Sequence, residues 1–249
     1  MPEADLATPQ DRAFVDGMVR LQWAKESDRE KRAMLEEIRA RTERAALEDH
    51  AELRTKIASG TLRGDELRRF FDDVPLLERD HFVEEVLGIA YPPLEEQVLD
   101  AELVAYCPSG YDEIVHAFDR TKLGPSDRFF DVGAGMGKAV LLAALLTGAT
   151  SGGIELHPEL VENAREAARS LSIDARCAVG DARATAFEDA DVVFLYIPFT
   201  GSVLASVLER LFAARSRFVC ASSLDADRYD LALVGEPRSW LHVYERKRA

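Results

Sequence analysis

The segment Phe129-Phe130-Asp131-Val132-Gly133-Ala134-Gly135-Met136-Gly137-Lys138 constrains this chain more than any other. An apolar run closes on a carboxylate, three glycines follow at spacing two, and an apolar helical stretch begins. Glycine lets a main chain take positive φ and approach a ligand closely. The free N–H groups of the following helix start favour negative or polar ligand groups. The segment therefore reads as a strand-to-helix turn lying against a nucleotide-like ligand. Spacing narrows the ligand further. A dinucleotide fingerprint needs Gly-x-Gly-x-x-Gly/Ala, and the third position counted from Gly133 and Gly135 is Lys138. The register present is Asp-x-Gly-x-Gly-x-Gly. A purely structural turn is the competing reading of these residues taken alone.

What surrounds the turn is an alternation of strand and helix, the mark of a parallel sheet with crossover helices. Strands are expected at Arg128–Val132, Ser151–Glu155, Ala175–Val179, Asp191–Ile197, Arg217–Ser222, Leu231–Val234 and Trp240–Arg246. Helices are expected at Asp112–Thr121, Lys138–Thr147, Pro158–Leu171 and Ser202–Ala214. Only Gly235-Glu236-Pro237-Arg238-Ser239 joins the last two strands, too little for a right-handed crossover, so they should pair antiparallel. The fold class is thus α/β, a doubly wound seven-strand sheet ending in an antiparallel hairpin.

Residues 1–106 read as an all-helical appendage to this domain at 107–249. From Pro9 to about Ser59 the chain is rich in helix formers, with Thr8-Pro9 as a start and a capping-box order at Ser27-Asp28-Arg29-Glu30 dividing two helices. Shorter helices follow at Asp65–Phe71, Leu76–Gly88 and Leu94–Tyr106, separated by Gly and Pro. A lid, a docking surface or a dimerisation element are the roles open to it, beside that of a merely solvated helix.

Charge bounds the partners. The net charge is −14, and residues 1–110 hold 15 Lys/Arg against 25 Asp/Glu. Such a surface repels phosphate backbones, because nucleic-acid binding depends on concentrated positive charge; a basic or neutral partner is expected. Cys107, Cys177 and Cys220 are odd in number, widely spaced and set among apolar residues. They read as reduced buried thiols without zinc spacing. No apolar export core begins the chain, and Ala139–Leu146 is far short of a bilayer span. A cytoplasmic protein without membrane contact is expected.

Open α/β sheets bind ligands beyond the carboxyl ends of their strands. Past the second strand stands Glu155, 24 positions after Asp131, near the spacing of about 20 at which such sites place a ribose-binding carboxylate. An ionised carboxylate only accepts hydrogen bonds, which suits two ribose hydroxyls. His157-Pro158 opens the next helix, with His157 as a cap and not a base.

The Asp-x-Gly-x-Gly-x-Gly register, followed by an apolar helix, Gly153-Ile154-Glu155 and the acid-bearing end Val179-Gly180-Asp181-Ala182, resembles class I S-adenosylmethionine-dependent methyltransferases. Within them it is most similar to the non-SET histone-lysine methyltransferases and to a related family of small protein-lysine methyltransferases. Tyr106-Cys107-Pro108-Ser109-Gly110-Tyr111-Asp112-Glu113 resembles their loop that folds over the cofactor. The resemblance covers about residues 104–246. It implies a Rossmann-like methyltransferase sheet and S-adenosyl-L-methionine as donor, with S-adenosyl-L-homocysteine as product. Donor contacts would come from Asp131, Gly133, Ala134, Gly135, Gly137, Glu155, Asp181, Ala182 and Tyr111. In the family Asp131 corresponds to the holder of the methionine portion and Asp181 to the acceptor of the adenine amine.

The acceptor belongs past the fourth strand. There Tyr196-Ile197-Pro198-Phe199 departs from the Asp/Asn-Pro-Pro-Tyr/Phe of amide- and base-directed enzymes. Tyr196, Phe199 and Tyr111 are the candidates for an aromatic acceptor channel, which would hold an amine by cation–π contact before deprotonation; packing on the core is the bland alternative. Methylation of a protein lysine or other amine is the leading expectation, and no metal is required. The alternatives are a bacterial small-molecule N- or O-methyltransferase with a helical lid, and an inactive cofactor-binding partner subunit.

Overall fold

The computed structural model describes residues 50–89, 108–187, 189–196, 199–214, 216–238 and 241–247. The helices expected before residue 50 and at Leu94–Tyr106 lie outside these, as do Cys107, Ile197 and Trp240.

Seven strands form one sheet in the order β3-β2-β1-β4-β5-β7-β6. They are β1 (Arg128–Val132), β2 (Thr150–Glu155), β3 (Ala175–Val179), β4 (Val192–Leu195), β5 (Phe218–Ala221), β6 (Leu231–Leu233) and β7 (His242–Arg246). The first five run parallel, and β7 enters antiparallel between β5 and β6. The expected hairpin is present. Strand order reverses between β1 and β4, so the crevice at their carboxyl ends is the switch point where such sheets bind ligands.

Residues alternate between the two faces of the sheet, as the strand period demands. On β1, Phe129 joins the larger core cluster while Phe130 packs against the other, and on β4 Phe194 and Val193 divide the same way. The second layer is completed by α7 (Gly201–Ala213), through Val203, Val207, Leu208 and Leu211. On the opposite face lie α4 (Tyr111–Thr121), α5 (Lys138–Leu142) and α6 (Pro158–Ser170), the last started by Pro158 at its first turn. The helical run expected at Lys138–Thr147 divides into α5 and a π-turn at Ala143–Thr147 before Gly148 ends it in the left-handed region.

Before them come α1 (Ala51–Ala58), α2 (Gly64–Asp72) and α3 (Leu76–Leu87), the last closed by Gly88 at φ 73°. These helices do not build a core of their own. Ile57, Leu67, Phe71, Val83, Val86 and Leu87 share one buried cluster with Leu141, Leu142, Leu145 and Phe129. Ion pairs fasten the same junction, among them Arg68 with Asp119 at 2.6 Å and Arg79 with Asp112 at 2.7 Å. The described part of the helical segment is thus continuous with the sheet domain.

Candidate functional site

The glycine turn after β1 takes the backbone form its spacing requires. Gly133, Gly135 and Gly137 all have positive φ, at 80°, 53° and 78°, a region where a side chain is strained. The N–H groups of Gly133 and Ala134 both reach the carbonyl of Ile154 at 2.9 Å, which stitches the turn to the end of β2. Gly153 opposite has no room for a Cβ, which would lie 2.7 Å from the Ala134 Cβ and 2.9 Å from the Asp131 carbonyl oxygen.

Glu155 is the second anchor. Its Oε2 accepts from the Gly135 N–H and its Oε1 from the His157 N–H, both at 3.0 Å, with the residue 8% exposed. One carboxylate therefore orders the glycine turn and the start of α6 together. Its remaining lone pairs can still receive hydroxyls. His157 sits at the N-cap of α6, and its side chain makes no capping bond.

Asp131 is 5% exposed, and no group among the described residues hydrogen-bonds its carboxylate. Burial, and secondarily the charge of Glu155, push it up to about 8. A buried acid without a cationic partner is held protonated, and a ligand ammonium would supply the missing charge. In the unfolded chain the group ionises near 3.8. Its folded form therefore keeps a proton that the unfolded chain has released, a contribution to stability present below pH 4 and lost as pH rises through about 8. The unliganded protein is expected to melt at lower temperature at pH 8 than at pH 5, and Asp131→Asn to narrow that difference. Parallel melting curves of both proteins at the two pH values check this.

Asp181, past β3, accepts from the Arg183 backbone N–H at 2.8 Å and from its guanidinium Nε and Nη2 at 3.0 and 2.7 Å. The Arg183 side chain beside it holds this carboxyl below its ordinary range. Arg183 escaped the sequence reading, although a basic residue two positions past a strand-end acid was the available signal. Ala182 is half-buried beside the α7 core. Past the neighbouring strands, Asp181, Glu155, the glycine turn with Asp131, and Tyr196 follow one another along one edge of the sheet.

The aromatic candidates divide. Tyr196 directly follows β4 and is half-buried. Phe199 is 6% exposed and belongs to the core beneath α7, which corrects its assignment to an acceptor channel. Tyr111 is corrected more fully, from both acceptor and donor contacts. It is 1% exposed, its hydroxyl donates to Asp72 at 3.0 Å, and its ring meets Phe71 edge-on at 5.7 Å. Burial and the Asp72 charge hold that hydroxyl well above the usual phenol range. Apolar side chains at the strand ends were also missed: Leu156, just past β2, and Val179, the last residue of β3, stay 44% and 47% exposed.

Cys177 and Cys220 are free and buried. Among the described residues no group of three or more His, Cys, Asp or Glu is placed to hold a metal, and no helix is long and apolar enough to cross a membrane.

Residues 104–188 match the family model of the histone methylation protein DOT1. A histone-lysine N-methyltransferase specific for H3 lysine-79, from Cryptococcus neoformans var. neoformans, is 37% identical over 101 residues, covering 37% of this chain and 16% of that protein. A protein-L-isoaspartate O-methyltransferase from Methylorubrum populi is 35% identical over 97 residues, covering 39% of this chain and 45% of that one. The chain thus spans less than half the length of these curated relatives. Among solved structures, an RNA methyltransferase from Salinibacter ruber in complex with S-adenosyl-L-homocysteine is 26% identical, with a TM-score of 0.49 over 56% of this chain and 92% of that one. The segment that matches DOT1 runs from before α4 through β1, β2 and β3, and so contains the glycine turn, Glu155 and Asp181.

Proposed function

We propose that this chain transfers a methyl group from S-adenosylmethionine to an amine, with a protein lysine as the first acceptor class to test. The observation that carries the reading is the joined arrangement of Asp131, the glycine turn and Glu155 inside the segment that matches DOT1. The residues fit the donor. A buried, unpaired Asp131 suits its amino group, Glu155 suits the ribose hydroxyls, and Asp181 suits an adenine amine once it shares its Arg183 contact. When bound, the donor would supply an electrophilic methyl on a sulfonium: the lone pair of a neutral amine would form the N–C bond as the C–S bond breaks, with the thioether as leaving group.

The chain's own part is orientation, exclusion of water and removal of a proton from the acceptor. Lysine has a reference pKa of about 10.4, and a dry aromatic surround lowers it towards the reactive neutral form. Tyr196, half-buried just past β4 and packed in part against the core, is the aromatic group assigned to that task in this reading. The negative balance of residues 1–110 supports a basic protein acceptor through complementary charge.

Incubation with donor carrying a labelled methyl, followed by separation of a cell lysate, tests the reading. Label in protein bands, lost after Tyr196→Ala and after Glu155→Ala, is the expected result. Label confined to an organic extract would mark a small-molecule acceptor, and no transfer despite donor binding would reduce the chain to a cofactor-binding partner.

A further inference from the structure

The helical segment before the sheet reaches the glycine turn through an ion cluster built on a buried Lys138–Glu84 pair and a half-exposed Asp80, which its packing does not demand. Lys138, the first residue of α5, is 5% exposed, and its Nζ lies 2.6 Å from Asp80 Oδ1 and 3.0 Å from Glu84 Oε1, both carboxylates on α3. Burial alone would lower this lysine, but Glu84 and Asp80 outweigh it and hold it above its usual range. The same Asp80 Oδ1 accepts the backbone N–H of Tyr111 at 2.6 Å, the first residue of α4. Beside it Arg79 pairs with Asp112 Oδ1, whose Oδ2 takes Arg238, both at 2.7 Å.

Asp80 therefore grips two helix starts at one oxygen: Tyr111, the first residue of α4, and Lys138, which follows the glycine turn into α5. Buried ion pairs are weak stabilisers compared with apolar packing, because desolvation offsets most of the attraction, and fixing register is their best-attested use. The junction already has an apolar core around Phe71, Val83 and Leu142, so stability gives little reason for charge here.

We infer that Asp80, with Lys138 and Glu84, is a positioning cluster through which α3 fixes the exit of the glycine turn against the start of α4, and so the glycine turn at the donor site. The inference rests on the donor site proposed above. Its consequence is reciprocal: whatever loosens α3 weakens donor binding, and donor binding tightens α3.

The test is S-adenosyl-L-homocysteine titrated calorimetrically into the full chain, well below the unfolding temperature. Asp80 keeps a side-chain exposure of 50%, so its variants should fold. Asp80→Ala should weaken binding about tenfold, while Asp80→Asn, which retains an acceptor for the Tyr111 N–H, should recover part of the loss. Arg68→Ala, which breaks the pair with Asp119 and a contact with Asp72 but touches neither Asp80, Glu84 nor Lys138, should lower the unfolding temperature and leave affinity unchanged. In the wild type, ligand should slow amide exchange along residues 76–87, and in Asp80→Ala it should not. Wild-type affinity in Asp80→Ala, or an equal loss in Arg68→Ala, would overturn the positioning role while leaving the donor site intact. A wild-type chain that does not bind the ligand at all would overturn the donor site itself.

Discussion

Glu155→Ala is expected to weaken S-adenosyl-L-homocysteine binding about 100-fold, which corresponds to roughly 2.8 kcal/mol at about 1.4 kcal/mol per tenfold. Two effects combine. The proposed acceptor for the ribose hydroxyls disappears, and the N–H groups of Gly135 and His157 lose the carboxylate that holds them at 3.0 Å. Hydrogen bonds to a charged partner contribute about 1.5–3 kcal/mol each, so the loss of order in the turn is sufficient on its own to be measurable. Glu155→Gln separates the contributions. Its amide oxygen can still accept one N–H, but its NH2 faces the other donor, so affinity should fall between wild type and alanine. Calorimetry on the three proteins decides it, and unchanged affinity in the alanine variant would remove the donor from this crevice.

The largest loss of stability is expected from Gly153→Ala, a change of one methyl. The added carbon would stand 2.7 Å from the Ala134 Cβ, 2.9 Å from the Asp131 carbonyl oxygen and 3.1 Å from Val140 Cγ2. Two of those neighbours belong to the glycine turn and its strand, and none is the end of a flexible side chain. Overpacking of this kind costs about 1–3 kcal/mol, occasionally more, and in a domain of this size each kcal/mol moves the melting temperature by about 2–4 °C. A fall of about 2–12 °C is therefore expected. Gly124→Ala, whose added carbon would meet nothing closer than 3.8 Å, is the matched control and should melt near wild type. Equal melting of both variants would mean that β1 and β2 sit further apart than described.

What the sequence disclosed, it disclosed through local grammar. The bounds of β1 and β3 come out as read, because each strand is followed at once by a glycine, Gly133 or Gly180, where the chain turns. The terminal hairpin was legible from connection length alone. The π-turn at Ala143–Thr147 was not, since no Gly or Pro interrupts that apolar run. Long-range partners were equally hidden. Lys138 meets Asp80 and Glu84 across 58 and 54 positions, and nothing in local spacing predicts such a meeting. Tyr111 looked like a channel aromatic because its neighbours in sequence flank the cofactor loop, yet its ring faces Phe71 of α2 and its hydroxyl is taken by Asp72. Aromatic residues announce burial and recognition with the same letter, and only the packing tells which applies.

The shared interior of α1–α3 and the sheet has a bearing on biogenesis. Ile57, Leu67, Phe71 and Val83 leave the ribosome well ahead of Leu141, Leu142 and Leu145, against which they are buried. Until those later residues emerge, the nascent helices present an oily stripe with nothing to lie on, the kind of surface that chaperones hold. An expression fragment trimmed to residues 104–188, the stretch that matches DOT1, would inherit the complementary bare face and should precipitate where the longer chain stays dissolved.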